Sequence, residues 1–233
     1  MRSQKQKPVK VLSSKVEYAG RVFRVLSDEI IEPNGVRARR NVVRHCGSVV
    51  ILPVETSGSQ PRVLLERQYR YAAGQFMWEL PAGKVDAGEE TLAAGKRELL
   101  EETGYSAQQW RRILHFYVSP GFLDETMTIY LAQGLSRGIA TPEADEVIYN
   151  RMFSLSAAVQ MVMRGTIQDA KTISGLLWLE KVWKQGGLKS ESKSHASKTD
   201  KKSSKNKKSA KNLPALRKTP AKATRSTPGS KKK

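Results

Sequence analysis

Glu98, Glu101 and Glu102 stand at i, i+3 and i+4 of a segment rich in helix formers, Thr91–Thr103, with Thr91 placed to cap its start and Gly104 placed to end it. At that spacing the three carboxylates share one helix face, where like charges repel by about 0.2–0.5 kcal/mol per pair. A hard divalent cation offsets such repulsion, and Mg2+ held by a few carboxylates and substrate phosphates is the usual arrangement where phosphates react. A solvated acidic face is the plain alternative on an arbitrary helix. The neighbours argue against it: Gly83, five residues, Glu89, seven residues, Arg97, Glu98, Leu99, one residue, Glu101, Glu102, one residue, Gly104 and Tyr105 form a fixed pattern.

That pattern fills every fixed position of the Nudix box, and the chain resembles the Nudix hydrolases. Three further stretches look like the ADP-ribose pyrophosphatases of that family. They are Gln68-Tyr69-Arg70, the approach Glu79-Leu80-Pro81-Ala82-Gly83, and Ser119-Pro120-Gly121-Phe122-Leu123-Asp124-Glu125, whose Pro120 lies sixteen residues past Gly104. The resemblance covers about residues 14–184. It implies a metal site made by Glu98, Glu102 and the Ala82 backbone carbonyl, with Glu101 in the same cluster and Arg97 holding the cluster through charge-assisted hydrogen bonds. Glu89 would support a bridging water or an outer contact, and the catalytic carboxylate would come from a later loop, as either Glu143 or Glu146. Arg70 would contact the diphosphate, joined by Arg40 or Arg44 of the same or another subunit, with Pro120, Gly121 and Glu125 on the substrate side. Asn41 departs from the Glu that relatives often carry, which bears on how the base or ribose is gripped. Tyr69, Tyr71 and Trp78 suit either a stacking face for a purine or core packing.

The implied activity is Mg2+-dependent hydrolysis of ADP-ribose or a related nucleoside diphosphate sugar to a nucleoside monophosphate and a sugar phosphate, with Mn2+ as the other cation. GDP-mannose pyrophosphatases share nearly all these motifs and stand as the alternative.

The elements that must position these residues follow from periodicity. Strands are expected at 48–54, 63–69, 76–80, 113–117, 126–132 and 147–153, and helices at Thr91–Thr103, 155–164 and 170–183. That order predicts an α/β/α sandwich over residues 45–186. Ahead of it, residues 14–44 alternate as a β-meander around a Pro33-Asn34-Gly35 turn, and residues 1–13, polar and basic, are expected to be disordered. A sheet that small cannot bury a core alone. The resembling enzymes exchange theirs between subunits, which implies a homodimer.

The formal charge of +19 sits mostly at the C-terminal end: residues 187–233 hold 16 Lys+Arg against Glu191 and Asp200, a net +14. This Lys-, Ser- and Ala-rich segment has too little apolar surface to offset its conformational entropy, so disorder is expected. It raises a reading of another class, a nucleic-acid-binding protein acting through its tail. One cysteine, Cys46, excludes an internal disulfide, and His45, His115 and His195 lack zinc-site spacing. With no signal-like or membrane-length apolar run, a soluble cytoplasmic protein without membrane partners is expected.

Overall fold

A computed structural model of the chain describes residues 8–142 and 146–188. The expected strands and helices are present, and the chain folds as an α/β/α sandwich preceded by a three-stranded antiparallel sheet. That first sheet runs in the order β1 (Lys10–Ala19), β2 (Phe23–Ile31), β3 (Arg37–His45). At the β2–β3 turn Gly35 takes a φ of +87°, and the Asn34 side chain accepts the Val36 N–H at 3.1 Å. β1 begins at Lys10, inside the stretch expected to be disordered, because Lys10 pairs with Ile31 at the far end of β2. Backbone pairing needs no apolar side chain, so composition alone hides it.

The main sheet comprises β4 (Ser48–Glu55), β5 (Arg62–Arg70), β6 (Gln75–Glu79), β7 (Ala82–Lys84), β8 (Tyr105–Tyr117), β9 (Thr126–Arg137) and β10 (Ile148–Ser154). Its order is β10-β5-β4-β9-β8, with β6 beside β5 and β7 beside β4; β4 and β9 are parallel and the other pairs antiparallel. β8 is longer than expected. Its added residues, 105–112, are mostly polar and carry no readable alternation, yet they pair with β9 through Gln109–Gln133 and neighbouring positions.

β4 shows how the two layers divide. Val50, Leu52 and Val54 face helices α2 (Leu155–Met163) and α3 (Ala170–Lys184), packing with Leu155, Leu176 and Leu179. Ile51, from the alternate set, packs on Leu99 of helix α1 (Thr91–Thr103). Leu188 is buried in the α2–α3 core as well, so packing continues past the expected boundary at 186. Thr91 does not cap α1: Glu90 holds the N-cap position without a side-chain bond, and the Thr91 hydroxyl bonds instead to that of Tyr130 at 3.0 Å. The remainder of the basic tail, like residues 143–145, lies outside the described residues.

Candidate active site

Two glycines shape α1 and β7, each for a different reason. Gly104 ends the helix at a φ of +71°, a left-handed conformation, and its N–H bonds the Leu100 carbonyl at 2.8 Å. Gly83 has no unusual torsion. A Cβ there would fall 1.9 Å from the Glu98 carboxyl carbon, so only a bare backbone lets β7 run against that carboxylate.

Arg97 ties the acidic face into one unit. Its Nε and Nη2 donate to the two oxygens of Glu89 at 3.1 and 3.0 Å, and its Nη1 donates to Glu98 at 2.8 Å and Glu101 at 3.1 Å. Nη2 also reaches the Lys84 carbonyl at 3.3 Å. The fork to Glu89, then the bonds to Glu98 and Glu101, hold the guanidinium far above its ordinary basicity. Glu89 is thus an anchor for Arg97.

Glu102 is buried, and its carboxylate accepts the Ala82 N–H at 3.1 Å. Burial pushes its carboxyl far up, and the neighbouring charges of Glu66 and Glu98 push it further. Burial likewise raises Glu98, with Arg97 opposing. Glu66, on β5 and fully buried, is raised by burial too. These acids resist ionisation unless positive charge joins them.

A basic wall faces the acidic one. Arg70 donates through Nε and Nη2 to Glu79, both at 2.9 Å, and the buried Lys171, at the start of α3, is hydrogen-bonded to Glu79 and lies 3.1 Å from Asp169. Burial disfavours the Glu79 anion, but the bonds from Arg70 and the charge of Lys171 outweigh it and lower its pKa. Between the walls lies a cavity of about 570 Å3 lined by Arg21, Arg70, Lys84, Arg97, Glu98, Glu101, Glu102 and Glu146, with the Ala82–Gly83 backbone. Glu146 therefore stands at the site, while Glu143 lies outside the described residues.

The other expected residues divide. Arg44 lines an adjoining cavity of about 590 Å3 with Arg21, Arg24 and Lys84, and is paired with Asp124 at 3.1 Å. Arg40 is ion-paired with Glu32 and lines neither cavity. Glu125 accepts from the Ser48 hydroxyl at 2.7 Å and lines a third cavity with His45, Arg70 and Lys171. Pro120 and Gly121 are exposed and line none of these three cavities; their loop docks on β3, where Val43 N–H bonds the Phe122 carbonyl at 2.7 Å and Asp124 N–H the Val43 carbonyl at 3.0 Å. Trp78 packs edge-on to Phe153 in the core, whereas Tyr69 and Tyr71 are exposed.

Sequence reasoning missed Arg21, Glu66, Lys84 and Lys171. Glu66 left one local signal, a charge interrupting the apolar start of β5. No three His, Cys, Asp or Glu side chains among the described residues already converge on one ligating point. The donor set still suits a hard divalent cation, being all oxygen: the carboxylates of Glu98, Glu101 and Glu102 beside the β7 backbone at Ala82. The raised carboxyls of Glu98 and Glu102 are the charges that such a cation would balance.

An acidic helix face that shares one groove with arginine and lysine suits a divalent cation and a phosphate-bearing ligand. The NUDIX domain model matches residues 44–175, and the chain belongs to this family. It is 36% identical over 170 residues to an ADP-ribose pyrophosphatase of Mycobacterium tuberculosis, covering 71% of this chain and 80% of that protein. It is also 32% identical over 173 residues to a methanol dehydrogenase activator of Bacillus methanolicus, covering 73% of this chain and 92% of the relative. A crystal structure of an ADP compounds hydrolase shares the fold with a TM-score of 0.68 at 22% identity, over 80% of this chain and 100% of that one.

Proposed function

We propose that this protein hydrolyses the diphosphate bond of ADP-ribose or a closely related nucleoside diphosphate sugar, with Mg2+ as the working cation. The observation that carries this reading is the single groove holding Glu98, Glu101, Glu102 and Glu146 opposite Arg21, Arg70 and Lys84. Glu98, Glu102 and the Ala82 carbonyl hold the cation, which neutralises diphosphate charge and acidifies water when bound. Arg97 keeps Glu98 and Glu101 in place, and Glu89 keeps Arg97 in place. Arg70, fixed by Glu79, and Lys84 orient the diphosphate. Glu146 takes the proton of the attacking water as its oxygen bonds phosphorus; the bridging P–O bond then breaks and the sugar phosphate departs.

A panel of ADP-ribose, GDP-mannose, ADP-glucose, NADH and diadenosine polyphosphates, run with Mg2+, with Mn2+ and with chelator, tests the proposal. ADP-ribose should be cleaved fastest to AMP and ribose 5-phosphate, and chelator should abolish turnover. Faster cleavage of GDP-mannose would replace the substrate assignment, and turnover in chelator would remove the metal. Glu102→Gln should lower kcat roughly a thousandfold with the fold retained.

A further inference from the structure

Glu66 has a chemistry that the fold alone does not account for. It is fully buried in the middle of β5, and among the described residues no amide, hydroxyl or cationic group donates to either of its carboxylate oxygens; the group within hydrogen-bonding reach is another carboxyl, that of Glu102. Burying an unpartnered carboxylate is among the most costly things a fold can do. Val63 and Leu65 point into the α2–α3 core, so the pleat turns Leu64, Glu66 and Gln68 to the opposite face. On that face Glu66 meets the side chain of Glu102, whose own backbone carbonyl accepts from the Asn150 amide at 2.8 Å, Asn150 being the residue directly opposite Glu66 on β10. The nearby cations, Arg70 and Lys171, are both hydrogen-bonded to Glu79, so neither is committed to Glu66.

We propose that Glu66 is a further carboxylate of the divalent-cation site, placed behind Glu102 to add negative charge there and to accept hydrogen bonds from the cation's water ligands. The inference rests on the functional reading above. A hydrated divalent cation supplies both things that Glu66 lacks, positive charge and hydrogen-bond donors, and offsets the repulsion by which Glu66 opposes ionisation of Glu102. Glu66 is a positioning residue in this scheme. It acts on the cation's affinity and not on the proton taken from water.

Titration of wild-type protein with Mn2+, without substrate and read by electron paramagnetic resonance of the free ion, gives the dissociation constant directly. Glu66→Gln keeps the side chain's size and removes its charge. It should weaken Mn2+ binding about tenfold to a hundredfold, and metal-free protein at neutral pH should melt no lower than wild type, because a buried carboxyl that resists ionisation has been replaced by a neutral side chain of the same size. Glu66→Leu, which also fills the site, should show the same loss of affinity and guards against an effect peculiar to the amide. Unchanged Mn2+ affinity in both variants overturns the proposal and leaves the metal site standing. Failure of the wild-type protein to bind Mn2+ at all overturns both the proposal and the functional reading beneath it.

Discussion

At the scale of single residues, the site is a set of carboxylates too close to be charged together without help. Glu66 and Glu102 are both held above the ordinary carboxylate value of 4.5, chiefly by burial. The folded chain therefore keeps protons there that the unfolded chain has already released, so the stability these two groups contribute is full below about pH 4.5 and is lost as pH rises above that value. Metal-free protein should melt progressively lower from about pH 5 to about pH 8, and Mg2+ should restore the loss most strongly at the alkaline end. Melting curves at several pH values, with and without Mg2+, check this. A metal-free melting temperature that rises over that interval would contradict the assignment.

At the scale of elements, the site depends on how closely β7 approaches α1. Gly83→Ala would put a methyl group within 2.0 Å of the Glu98 carboxylate, so that carboxylate must leave its place beside Arg97. Turnover and Mg2+ affinity should both fall, roughly tenfold or more each, while circular dichroism stays that of the folded protein, because the clash is with a side chain and not with the core. Equal Mg2+ affinity in wild type and variant would show that Glu98 does not hold the cation from this rotamer. The same approach organises the electrostatics: the Ala82 N–H from β7 bonds Glu102, and the Lys84 carbonyl bonds Arg97.

At the scale of the whole molecule, two features bear on partners. β1 is exposed along its full length, and Val11, Val16 and Tyr18 on it are each more than half exposed, an apolar edge that a second copy could cover. We propose a homodimer formed through this sheet; light scattering at micromolar concentration should report twice the 26.0 kDa chain mass, and a monomer would refute it. The other feature is the segment beyond Leu188, which lies outside the described residues. A chain ending at residue 188 should keep full hydrolase activity, whereas one ending at 186 loses a buried leucine and should be less stable by about 1.5–3 kcal/mol. Full-length protein should also be retained on heparin more strongly than the chain ending at 188, with a steep salt dependence, given the 16 basic residues among 187–233. Equal retention would leave the tail without a polyanion-binding role.

What was legible in the sequence was what depends on near neighbours. Glu98, Glu101 and Glu102 share a face because a helix places i, i+3 and i+4 together, and Arg97 can reach both Glu98 and Glu101 for the same reason. The helix α1, with Gly104 at its end, was readable to the residue, while the N-cap and the starts of β1 and β8 were not, since polar strands pair by backbone alone. Contacts between distant residues were decided only in three dimensions. Lys171 meets Glu79 across 92 positions and Arg44 meets Asp124 across 80, distances over which no local pattern carries information. Glu66 comes beside Glu102 only because the pleat of β5 turns it away from the core that Val63 and Leu65 occupy. The composition of the chain named the donors, but strand register and helix packing decided which of them share one groove, because a one-residue shift of β5 would send Glu66 to the opposite face.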